Sequence, residues 1–139
     1  ILGKNAVTGE GIIVTLTDVE VGKYGKVYAK DLIELVNALK SSGAEAISIN
    51  GQRIIVNSYI VDINSTFISV NGKRILSPYV VKAIGDTTYL ESGLSQKQYG
   101  YLDTKKNEGK DVKLTKSESV EIEAYDGTLL NFKYAKEAE

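Results

Sequence analysis

The chain has 139 residues and a net charge of −1, with an isoelectric point near 5.6; this is a one-domain length that fills a core without a metal or disulfide staple. It contains no cysteine and no histidine, which excludes disulfides, thiolate or imidazole zinc sites, cysteine nucleophiles and every histidine-based triad. No overall positive field attracts nucleic acid or anionic lipid, and no apolar run approaches the roughly 20 residues that span a bilayer. There is also no methionine, so Ile1 reads as the start of an excised or processed piece, with any anchor upstream.

Residues 1–8 read as a lead-in and 7–11, with Gly9 and Gly11, as a loop that turns the chain into a first strand at 12–17. An exposed connection at 18–26 follows. Leu32, Leu35, Val36 and Leu39 then form the i, i+3, i+4, i+7 stripe of an amphipathic helix. Asp31 is expected to cap its start, with Glu34 completing an Asp version of the capping box, and Gly43 to close it.

Next the chain repeats itself. Ile47-Ser48-Ile49-Asn50-Gly51-Gln52-Arg53-Ile54 returns as Ile68-Ser69-Val70-Asn71-Gly72-Lys73-Arg74-Ile75. Asn-Gly between apolar runs predicts a two-residue hairpin turn, because both central residues need a positive φ. Hairpins follow at 45–49 with 53–56 and at 66–70 with 74–76, and a further short strand at 59–63. Counting outward pairs Ser48 with Arg53, Ile47 with Ile54, Ser69 with Arg74 and Ile68 with Ile75, so isoleucines share one face and Ser–Arg pairs the other.

Ser77-Pro78 ends the second hairpin, and 79–84 is a β-branched strand. Asp86 caps a helix through Leu90 and Leu94, and residues 96–107 add a weaker helical stretch interrupted by Gly100. Strands are expected at 112–114 and 120–124, then a turn at 125–127, an alternating run at 130–134 and a charged tail at 135–139. This order reads as a single α+β domain, 1–139. Its expected form is a ferredoxin-like βαββαβ sandwich: a mainly antiparallel sheet with extra hairpin strands and helices on one face.

Turn grammar demands Asn-Gly and a core demands isoleucine, but neither demands Ser and Arg at matching places. In one reading these are solvent-face residues whose stems cover the sheet. In the other, Arg53 and Arg74 stand as two guanidinium forks on one open face, and Ser48, Asn50, Arg53, Ser69, Asn71 and Arg74 form a ligand-binding set for carboxylate or phosphate. The glycines at 9 and 11 precede a strand and lack a Lys-Ser/Thr, unlike a phosphate loop. Asp31, Glu34 and Asp86 are accounted for by capping, so no catalytic residue, cofactor or metal is expected. Lys105, Lys106, Lys110, Lys113 and Lys116, offset by Glu118, Glu121 and Glu123, read as a solvated face, and the tyrosines scatter away from the central strands, so no nucleic acid is expected.

Gly9-Glu10-Gly11-Ile12-Ile13-Val14-Thr15-Leu16, the block from Gly43-Ala44-Glu45-Ala46-Ile47 through Arg53-Ile54, and Ser77-Pro78-Tyr79-Val80-Val81-Lys82-Ala83-Ile84-Gly85-Asp86 together resemble the bacterial domain-of-unknown-function family 881. The likeness also takes in Asp31-Leu32 to Leu39, Val70-Asn71-Gly72, Leu90 and Lys133-Tyr134-Ala135. It departs at 22–26 and at the polar 96–106. The resemblance implies a domain outside the membrane of mainly Gram-positive bacteria, behind a transmembrane helix and a coiled coil, in proteins encoded near cell-division and wall genes. It implies no activity. The expected role is a non-catalytic extracytoplasmic interaction module, with protein partners in the envelope or a second copy paired through a sheet edge. The alternative is a small-anion or wall-fragment sensor binding over Arg53 and Arg74.

Overall fold

In the computed structural model, which describes residues 3–19, 25–97 and 99–126, the first strand starts well before the apolar run that announces it. Strand β1 covers Val7–Thr17. Gly11 lies opposite Ile84, and a Cβ on Gly11 would stand 1.9 Å from the Ala83 carbonyl oxygen. The expected loop at 7–11 is therefore strand, and its glycine serves a close backbone approach.

Helix α1, Ala29–Ser41, buries Leu32, Leu35, Val36 and Leu39 as the stripe predicts. Its start differs: Tyr28 holds the cap position, and Asp31 is the third helical residue. The Asp31 carboxylate accepts the Tyr28 amide at 2.8 Å. The free amide of Ala29 donates 2.9 Å to Asp62 Oδ1, from a distant strand.

The two repeats form the expected hairpins, β2 (Ala46–Ile49) with β3 (Gln52–Arg53), and β5 (Ile68–Val70) with β6 (Lys73–Ile75). Their turn residues have φ of 48° and 82° at Asn50 and Gly51, and of 56° and 81° at Asn71 and Gly72. Ser48 pairs with Arg53 and Ser69 with Arg74, as counted from the turns, and Ile47 and Ile68 are both in the main core.

The hairpins do not share a sheet. With β4 (Ile60–Asp62), the second forms a three-stranded sheet of order β4-β5-β6. The first belongs to a five-stranded sheet of order β3-β2-β7-β1-β8, completed by β7 (Tyr79–Ile84) and β8 (Asp111–Ile122). All pairings are antiparallel. The split arises because β5 finds both its partners, β4 and β6, within the excursion between β3 and β7, which leaves β2 free to pair with β7.

Helix α2, Thr87–Leu94, follows its expected cap: Asp86 accepts the amides of Thr88 at 2.9 Å and Tyr89 at 3.2 Å. Helix α3 is only Tyr101–Asn107, because Gly100 sits at its cap and not within it. The two strands expected near the end are one continuous β8, bulged where Gly9 and Gly11 of β1 face Val120 and Ser117. The bulge reverses its faces. Val112 and Leu114 pack into the main core with the helices, while Val120 and Ile122 join Ala46 and Ile84 in a separate cluster on the other side of the sheet. The strand expected at 130–134 and the tail at 135–139 lie outside the described residues.

Candidate functional site

The six residues singled out by the repeat fall into unlike surroundings. Arg53 is 7% exposed; its Nη1 donates to the carbonyls of Asn5 at 3.0 Å and Glu123 at 3.2 Å. Arg74 is exposed, with its guanidinium 5.8 Å from the centre of the Phe67 ring. The expectation of two free forks on one open face is corrected: the arginines lie in different sheets and only Arg74 is open. The reason is tertiary. β3 meets the lead-in and the chain leaving β8, whereas β6 is an outer strand of the small sheet.

The turn asparagines are structural links. Asn50 Oδ1 accepts the Val80 amide at 2.6 Å, and its Nδ2 reaches the carbonyls of Pro78 at 3.3 Å and Leu76 at 3.4 Å. Asn71 Nδ2 donates 2.8 Å to the Arg53 carbonyl, so the second turn docks on the first hairpin. Ser48 and Ser69 are both buried, and Ser48 Oγ has no partner among the described residues.

Two concavities adjoin this region. A cavity of about 470 Å³ is lined by Gly3, Asn5, Val7, Thr8, Glu45, Ala46, Arg53, Ile54, Ile55 and Ile84. The residues read as a lead-in thus supply one wall, fixed where the Tyr125 amide donates 2.7 Å to the Gly3 carbonyl. A second, apolar groove of about 330 Å³ runs between α1 and the β3–β4 connection, with Ile33, Val56, Tyr59 and Ile60 among its walls. Of its walls Val56 is 83% exposed and Tyr59 is exposed too, and Val61 and Ile63, a few positions on in the chain, are likewise exposed.

A third arrangement escaped the residue pattern. Asp31 is fully buried, and Lys105 and Lys110 nearly so, at 3% and 8% exposure. Lys105 Nζ lies 2.7 Å from Asp31 and also contacts Glu34; Lys110 Nζ lies 3.0 Å from Asp31; Glu108 approaches both lysines, at 3.5 and 3.4 Å. Tyr101 Oη donates 2.6 Å to the Asp31 carbonyl. Burial acts to raise the Asp31 carboxyl, but hydrogen bonds from Lys105, the Tyr28 amide and Lys110 outweigh it and hold the group below the usual carboxylate range. Burial acts to lower Lys105, and Asp31 and Glu34 reverse that, so its ammonium is held above its ordinary value. Burial, then the Asp31, Glu34 and Glu108 charges, push the Tyr101 phenol up. The solvated face expected for Lys105 and Lys110 is corrected accordingly. One signal pointed here: Asp31 lies one turn before Leu35 on the buried stripe, and a buried carboxylate requires cations. Among the described residues no group of three or more Asp, Glu, His or Cys side chains is placed to hold a metal, and no helix is long and apolar enough to cross a membrane.

The sequence profile described as bacterial protein of unknown function, DUF881, matches residues 1–136. The chain is 36% identical over 100 residues to the UPF0749 protein YlxW of Bacillus subtilis, covering 68% of this chain and 43% of that protein. It is 34% identical over 135 residues to the UPF0749 protein YlxX of the same organism, covering 91% and 56%. The UPF0749 protein Rv1825 of Mycobacterium tuberculosis is 30% identical over 99 residues, covering 68% and 32%. The chain thus spans well under two thirds of these relatives' length. In structure it is similar to an uncharacterized conserved protein from Mycobacterium tuberculosis, with a TM-score of 0.78 and 27% identity over 91% of this chain and 87% of that one.

Proposed function

The chain belongs to DUF881, a family of bacterial proteins of unknown function, and from that premise we propose that it is a non-catalytic interaction module held outside the membrane in a larger, anchored envelope protein. The observation that carries the reading is the exposure of apolar side chains in and near the groove. Val56, Tyr59, Val61 and Ile63 fall within one short stretch, and Ile33 of α1 completes it, a concentration suited to a partner's apolar side chains. Meanwhile the buried carboxylate, Asp31, is spoken for by two lysines and a backbone amide. The anchored setting, and a role in division or envelope assembly, rest on what the family resemblance implies. The strand order β2-β7-β1-β8, with α1 between β1 and β2 and α2 and α3 between β7 and β8, supports a ferredoxin-like βαββαβ core with β3 to β6 as an insertion.

The test uses the full-length protein. A Val56→Cys variant, in a stretch with no other cysteine, is expected to fractionate with membranes, to react on intact cells with an impermeant maleimide, and to form a disulfide or bismaleimide cross-link with a neighbour. A cysteine at Glu118, on β8, is expected to label but not to cross-link. Full-length protein found wholly in the soluble fraction removes the anchored reading; equal cross-linking at both positions removes the groove as the contact surface.

A further inference from the structure

We propose that the cavity beside Arg53 is a binding site for a small ligand that carries a carboxylate on a short apolar body. Arg53 is nine-tenths buried, and no carboxylate of the described residues forms an ion pair with it. Its Nη1 is held by the carbonyls of Asn5 and Glu123, which fix the plane of the guanidinium, and Nε and Nη2 have no hydrogen-bond partner among the described residues. A mostly buried guanidinium, held by two carbonyls and with donors left over beside a cavity, is pre-set to accept a carboxylate, and holding it in place beforehand lowers the ordering cost of binding. The contrast with Lys105 and Lys110 is direct, since those buried cations have Asp31, Glu34 and Glu108 around them.

The remaining walls select the body. Val7, Ala46, Ile54, Ile55 and Ile84 give apolar surface, and about 470 Å³ lies within the usual range for small-ligand pockets. Glu45 also lines the cavity, so a second negative charge on the ligand is disfavoured and a single carboxylate preferred over phosphate. Arg74 takes no part, being in the other sheet. The carboxylate can belong to a free branched acid or to the C-terminus of a peptide. This inference does not rest on the interaction reading, because Val56 and Tyr59 of the groove do not line the cavity.

Isovalerate and the capped dipeptide N-acetyl-valyl-valine are the probes, titrated into the isotopically labelled protein and followed by NMR, with the dipeptide amide as the uncharged control. Binding is expected for at least one of the acids, with the largest shifts at Val7, Ala46 and Ile84; which acid binds more tightly identifies the source. Arg53→Gln is expected to weaken it by about tenfold or more, the size of a lost charge-assisted pair. Ala46→Leu, which fills the cavity and leaves Arg53 in place, is expected to weaken it comparably in a protein whose spectrum is otherwise native; this variant decides the matter if Arg53→Gln does not fold. No binding by either acid, equal binding of the amide, shifts centred elsewhere, or indifference to Ala46→Leu overturns the proposal.

Discussion

Among the described residues buried positive charge occurs in two places, and they solve its cost differently. Among the helices, Lys105 and Lys110 converge on Asp31, with Glu34 and Glu108 at the edge. Across the sheet, Arg53 has, among the described residues, two backbone carbonyls and a cavity. The first is closed: every long side chain faces an opposite charge, and it fastens α1 to α3 and to the start of β8. The second is open on one side, which is the condition for binding something. A buried ion is informative about function through what it lacks, not through its burial alone.

Substitutions at five positions separate the two places by what they cost. Asp31→Asn leaves two buried lysines short of their main partner and is expected to cost about 3–5 kcal/mol in urea unfolding. The same carboxylate predicts acid sensitivity. Its folded pKa lies below the unfolded one, so its stabilisation is complete above the usual Asp range, near pH 4, and is lost as pH falls through the lower folded value; the Asn variant is expected to lack that portion of the pH dependence. Arg53→Gln, which weakens two carbonyl contacts but strands no opposite charge among the described residues, is expected to cost less, about 1–3 kcal/mol. Gly51→Ala and Gly72→Ala force a side chain into positive φ in matched turns and are each expected to cost about 1–2 kcal/mol, with only the first altering ligand binding beside Arg53. Arg74→Ala, at an exposed ring contact, is expected to change stability by about 0.5 kcal/mol or less. A cost for Arg74→Ala equal to that for Arg53→Gln removes the distinction between the two repeats.

What the residues revealed beforehand was local. The Asn-Gly turns, the pairing of Ser48 with Arg53 and Ser69 with Arg74, the stripe of α1 and the Asp86 cap each depend on neighbours within a few positions. What stayed hidden depends on distant chain. Gly11 reads as a loop residue until β7 is known to lie against it, and β8 reads as two strands because its bulge reverses the alternation partway. Arg53 and Arg74 are alike in sequence context; only the arrival of Asn5 and Glu123 separates them. Lys105 and Lys110 look like members of a solvated row, and only the start of α1, more than seventy positions earlier, withdraws them from water.

The bond from the Ala29 amide to Asp62 Oδ1 joins the opening turn of α1 to a strand of the small sheet, 33 positions along the chain. With Asn71 gripping the Arg53 carbonyl, the small sheet is moored to the helix at one point and to its larger neighbour at another. Lifting it away uncovers a helix end, so deuterium uptake at Ala29 becomes a clock for that excursion, read at an atom that belongs to neither sheet.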